Sequence, residues 1–130
     1  MNRLTVLIAI GLLATTIAFA QQDFPREITV SWTNPSSYTD GTAIAPGDLD
    51  SIRIEIFRNS SATPVFTATV DDSGEGAQQS EVFPAAIPGP GTYTIVGYAI
   101  VVDGSESDAS DAVVKKYTGK PMPITTVTVD

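Results

Sequence analysis

The chain has 130 residues, fifteen acidic and seven basic, for a formal net charge of −8. It contains neither His nor Cys, which excludes the ordinary zinc and copper ligand sets, thiol nucleophiles and the commonest general base. So acidic a surface repels phosphate backbones and anionic headgroups, which argues against nucleic acid and membrane surfaces as partners.

Residues 1–20 read as a signal peptide. Met1-Asn2-Arg3 is a short basic start, Leu4 to Ala20 is apolar, and Ala18-Phe19-Ala20 is a small-x-small cleavage pattern directly before a polar chain. The alternative is an uncleaved anchor, because the apolar run is close to the shortest that spans a bilayer. Cleavage predicts a secreted or cell-surface protein that no longer touches the membrane. Its stability must then come from burial and strand pairing, since no disulfide is available.

After a polar lead, Glu27 to Trp32 alternates, with Ile28, Val30 and Trp32 on one face, and predicts a strand. Asn34 to Asp50 is broken by Pro35, Gly41, Pro46 and Gly47 and reads as a long loop. Ile52, Ile54 and Ile56 mark a second strand, and Val65 to Val70 a short third one suited to a sheet edge. Gln79 to Phe83, after an acidic turn, reads as a further strand. The central strand is the long apolar run Tyr93 to Val102, entered through Ile87-Pro88-Gly89-Pro90-Gly91. Tyr93, Ile95, Gly97, Ala99 and Val101 share one face of it, while Val96, Tyr98 and Ile100 lie on the other. Both faces are apolar, so both are expected to be covered, the outer one by a partner or by Phe57 and Tyr117 of adjacent strands. Asp103 to Asp111 is polar, Ala112 to Tyr117 forms another strand, and Ile124 to Val129 is a strand-like tail after two prolines. Short strands with frequent turn signals and no useful helical period predict an all-β sandwich of about seven strands, with residues 21–120 as its body.

Several of these motifs together resemble a fibronectin type III domain, of the sort common in bacterial and phage surface proteins. Ile28-x-Val30-x-Trp32 is similar to that family's second strand with its core Trp. Asp40-Gly41-Thr42 with Leu49-x-x-Ile52-x-Ile54 resembles its long loop and third strand. Ile87-Pro88-x-x-x-x-Tyr93 matches its apolar-Pro…Tyr spacing, and Gly104-Ser105-Glu106-Ser107 to Val113 its last turn and strand. The resemblance implies an immunoglobulin-like sandwich, with Trp32, Ile54, Tyr93 and Ile95 in the core and Tyr93 as a tyrosine corner.

The ends depart from the family pattern. It opens with a strand ahead of the Trp strand, for which Gln21 to Arg26 is too short and too polar. Pro121-x-Pro123-Ile124 to Val129 looks like that linker and strand set at the opposite end. A Trp strand without its neighbour has an unpaired edge, and such edges recruit other strands. Three outcomes stay open: residues 121–130 fill the gap in their own domain, fill it in a neighbour, or fray. If they fill a neighbour, Ile124 to Val129 pairs beside Glu27 to Trp32 of the next subunit, with either Ile124 or Val127 and Val129 entering the core beside Ile28 and Val30, and Val96, Tyr98 and Ile100 offer a further contact face.

Catalysis is not expected, because the carboxylates sit mostly in turns with no sign of a buried pair. Calcium is a weaker possibility at Asp71-Asp72-x-x-Glu75 and at Asp103, Glu106, Asp108 and Asp111, neither of which follows the EF-hand spacing; no cofactor is expected. Asn59-Ser60-Ser61 is an N-glycosylation sequon. The sequence therefore leads to a secreted, non-enzymatic structural subunit assembling with copies of itself into a filament or surface layer. The second reading is a monomeric adhesion module binding a surface glycan or protein receptor, with Tyr38, Tyr98 and Tyr117 as candidate sugar platforms.

Overall fold

The computed structural model describes residues 9–12, 24–72, 74–119 and 128. Seven strands are present in it: β1 (Ala9–Leu12), β2 (Arg26–Thr33), β3 (Leu49–Arg58), β4 (Phe66–Asp71), β5 (Gln78–Ile87), β6 (Gly91–Val101) and β7 (Val113–Tyr117). They form two antiparallel sheets, ordered β1-β2-β5 and β4-β3-β6-β7.

Alternation along each strand fixes which sheet face is buried. Ile28, Val30 and Trp32 of β2 face Ile52, Ile54 and Ile56 of β3 and Tyr93, Ile95 and Ala99 of β6 across one core. The three β3 isoleucines are fully buried, each contributing roughly 1.5–3 kcal/mol relative to exposure. Leu49 is buried too, although it is out of phase with them. A bulge reconciles the two: Leu49 pairs with Val101 while Ser51 pairs with Ile100, so two β3 steps face one β6 step and the phase shifts. Phe66 of β4 and Phe83 of β5 meet with ring centroids 5.3 Å apart, joining the two sheets at one side of the sandwich.

Four differences from the sequence reading have physical causes. The strand expected over Gln79 to Phe83 runs on to Ile87, because a bulge around Ala85, at φ 58°, absorbs Pro84 and returns Ala86 and Ile87 to the core. The polar stretch before β7 lies along β6 instead of looping free. Ser107 and Ser110 each donate their backbone N–H to β6, to the carbonyls of Ala99 and Gly97 respectively. Their hydroxyls accept the N–H groups of Ala99 and Gly97 in return, each at 2.9 Å. Tyr117 does not shield the outer face of β6; it points inward and meets Tyr93 edge-on at 5.6 Å. Finally, the edge of β2 is paired, by a strand from the apolar N-terminal segment.

Candidate functional site

The edge of β2 is built from its own alternation. Val30 and Trp32 point into the core, while Ser31 and Thr33 face outward, and the Ser31 hydroxyl donates to the Ser80 hydroxyl across the β2–β5 pair at 3.0 Å. Trp32 is held by a local device. Its indole N–H donates to Asn34 Oδ1 at 2.9 Å, and Asn34 Nδ2 donates to the carbonyl of Gly74 at 3.0 Å. Asn34 N–H also donates to the carbonyl of Ala77 at 2.8 Å, so a buried polar side chain and its backbone are both satisfied. Asn34 was not singled out in the sequence; an Asn two residues beyond a core Trp is the signal that was available.

On one side β2 pairs with β5. On the other, β1 runs antiparallel with Ala9 opposite Thr33, Ile10 opposite Trp32, Gly11 opposite Ser31 and Leu12 opposite Val30. The first-strand position of the sandwich is therefore occupied by residues that the sequence assigns to a leader. The cause is the edge itself: exposed N–H and C=O groups beside a core Trp take whichever apolar extended segment can reach them. β1 covers the Val30–Thr33 half of the strand. At the other end of β2, Arg26 Nη2 donates to the carbonyl of Thr118 at 3.3 Å, which sets the chain leaving β7 beside the start of β2.

The predicted assembly residues do not form one site. Ile28 and Val30 lie in the core side of the three-stranded sheet, whereas Val96, Tyr98 and Ile100 are half-buried on the outer face of the four-stranded sheet. Ile124, Val127 and Val129 lie outside the described residues. Thr128, among them, is exposed and outside the strands. Trp32, Ile54, Tyr93 and Ile95 are all buried in the common core.

The outer face of β6 is covered in part from within. The Arg53 guanidinium stacks over the Tyr98 ring at 4.5 Å and is steered there by Glu55, at 3.0 Å, and by Glu106. The hydrogen bond from Arg53 holds the Glu106 carboxyl below its ordinary range and is the main cause of the rise in the Arg53 pKa. One face of Tyr98 is thus capped, Tyr117 is buried, and Tyr38 packs partly buried against the core.

Three carboxylates of the acidic turns accept backbone N–H groups, two within their own turn and one from a neighbouring loop. Asp72 Oδ1 accepts the N–H of Gly74 and Asp103 Oδ1 that of Ser105, each at 2.7 Å, while Glu75 Oε1 accepts the N–H of Gly47 at 3.1 Å. Among the described residues no group of three or more His, Cys, Asp or Glu is placed to hold a metal ion. Asn59 of the sequon sits with Ser60 in a turn where both have positive φ, and its Oδ1 accepts the N–H of Thr92 at 3.0 Å.

No protein-family model matches the sequence, and no curated protein matches it either. Among solved structures, a myokine structure covers 92% of this chain and 100% of its own length, with a TM-score of 0.52 at 13% identity. The fold is a fibronectin type III-like β-sandwich. At that identity the likeness concerns the fold and carries no function across. The corner expected of that fold is formed here: the Tyr93 hydroxyl donates to the carbonyl of Gly89 at 2.6 Å and accepts its N–H at 3.3 Å, with Tyr93 fully buried.

Proposed function

We propose that the protein is an exported, non-enzymatic structural subunit of the bacterial or phage surface kind, assembling into a filament or surface layer by strand complementation. The observation that carries this reading is the pairing of β1 with the outer edge of β2. Arg26 to Tyr117 supplies six of the seven strands, and the seventh comes from an apolar segment well upstream of them. An edge completed in this way is an acceptor for a strand from elsewhere.

Cleavage after Ala20 removes β1 and leaves the edge open. Ile124-Thr125-Thr126-Val127-Thr128-Val129 has the β-branched composition of a donor strand and follows a Pro-containing linker, the arrangement of a first strand moved to the other end of the domain. Donation from one subunit to the next is a heterologous contact, which propagates into a filament or closes into a ring.

The test uses the full chain with a protease site inserted between Ala20 and Gln21. Light scattering after size exclusion, before and after the cut, reads the mass. Large species that form on cutting, and that are lost when residues 121–130 are also removed, support the reading. A cut chain that stays monomeric over a wide concentration range refutes it, and favours the monomeric adhesion module.

A further inference from the structure

β1 meets β2 through four residues, with Ile10 registered opposite Trp32 and Leu12 opposite Val30, and the small residues Ala9 and Gly11 opposite Thr33 and Ser31. The slot thus takes an apolar residue at two positions spaced by two, aligned with the inward-facing residues of β2, and a small or polar residue at each outward position between them. One stretch of residues 121–130 repeats that pattern in the same direction: Thr126-Val127-Thr128-Val129. Ile124-Thr125-Thr126-Val127 does not, because its two apolar residues are three apart and fall on opposite faces of a strand.

We infer that Ala9–Leu12 is a placeholder, and that after its removal Thr126–Val129 of a second copy takes its place in the same register, Val127 opposite Trp32 and Val129 opposite Val30. This inference rests on the strand-complementation reading and adds to it the register, the occupant and the gate. Until the leader leaves, the acceptor edge is filled and the subunit cannot join the assembly.

For the antiparallel register of β1, connectivity points to a second copy, not the same chain, as donor. Thr118 lies beside Arg26, at the start of β2. An antiparallel guest must enter beside Thr33, seven residues along, or about 23 Å at about 3.3 Å per residue. The eight steps from Thr118 to Thr126 span at most about 26–29 Å fully extended. The chain would have to run nearly straight along β2 and then reverse at Thr126 with about one residue left for the turn, whereas a tight reversal takes at least two. A neighbouring copy enters from the Thr33 end without that constraint.

The test is disulfide trapping, made clean by the absence of native Cys. Full chains with the protease site after Ala20 carry either Ser31→Cys or one of Thr128→Cys and Thr126→Cys, with a size tag on one partner of each mixture. Directly opposite residues are close enough to bridge, and residues displaced by two are not. The expected result is a mixed dimer from S31C with T128C after cutting, its loss when T126C replaces T128C, and its loss in uncut chains. Trapping with T126C instead overturns the register while leaving strand complementation standing. Equal trapping before and after the cut overturns the placeholder. No trapping in a cut chain that still assembles overturns the docking site, and no trapping in a cut chain that stays monomeric overturns the proposed function as well.

Discussion

Replacing Tyr93 by Phe removes one oxygen from the fully buried corner and little else. The ring keeps its edge-on contact with Tyr117 at 5.6 Å, so lost packing is a minor part of the effect. What changes is Gly89, whose carbonyl loses its 2.6 Å donor and whose N–H loses its 3.3 Å acceptor. A buried polar group left unpaired costs about 1–3 kcal/mol. The Arg58 side chain closes over the corner. Arg58 donates twice to the carbonyl of Pro90, at 3.2 and 2.6 Å, and a methyl group on Gly89 would sit 2.8 Å from Arg58 Nη2. For a domain of this size the expected loss lowers the Tm by at least about 4 °C. Trp32, buried and the sole Trp, is the probe: urea unfolding followed by its fluorescence should show a lower midpoint with an unchanged slope. Tyr98→Phe, on the half-buried outer face, serves as the reference and should stay within about 0.5 kcal/mol of the parent. A Tyr93→Phe chain as stable as that reference would refute the assignment of the corner as a fastening point.

Asn34→Ala strips the indole of its acceptor and the Gly74 carbonyl of its donor, with an expected loss of about 1–3 kcal/mol in the same urea titration. Gly91→Ala puts a methyl group 2.8 Å from Asn59 Oδ1 at φ 154° and should destabilise by roughly 1 kcal/mol or more, read as a fall in Tm. Glu106→Gln acts through pH. The Glu106 carboxyl is held low in the folded chain, so its contribution is present above the ordinary carboxylate pKa and is lost as pH falls through the folded value. The pair is largely solvated, so the difference from the parent at neutral pH is at most about 1 kcal/mol and should vanish in acid melts. Tyr117 has the opposite sign. Burial raises its pKa above the ordinary 10.0, so the folded chain keeps the phenol proton longer and stability falls as pH rises past that value. Tyr117→Phe should remove that alkaline decline from a series of thermal melts.

The parts of the fold visible in the sequence are those where side-chain alternation and burial coincide. Ile28, Val30 and Trp32, or Ile52, Ile54 and Ile56, state both that a strand exists and which way it faces. Ile87-Pro88 ahead of Tyr93 did the same for the corner. What was hidden is held by hydrogen bonds from polar residues, which look alike whether they meet water or backbone. Ser107 and Ser110 in a polar run carry no mark of being buried against β6. Nothing at Pro84 or Ala85 signals that the strand runs on to Ile87, because a bulge is a tertiary accommodation with no composition of its own. β1 was invisible for another reason: an apolar stretch is the same string whether it meets lipid or lies beside an open edge. The candidate site was legible as an edge that lacked its neighbour, and what the structure adds is the segment that fills it.

The two serine clasps on β6 also govern which lengths of chain this domain tolerates. Ser107 and Ser110 are three residues apart, whereas Ala99 and Gly97, which they hold, are two apart. Beyond the Ile100–Glu106 bridge the seam is fastened at these two clasps instead of along a continuous ladder, so the residues between them need not alternate. One extra residue between the serines would carry one of them off its amide and leave a buried N–H bare. Extra residues in the turn ahead of Glu106 would disturb neither clasp. Related chains that diversify this part of the surface can therefore vary the turn freely in length, while the spacing of the two hydroxyls stays constant.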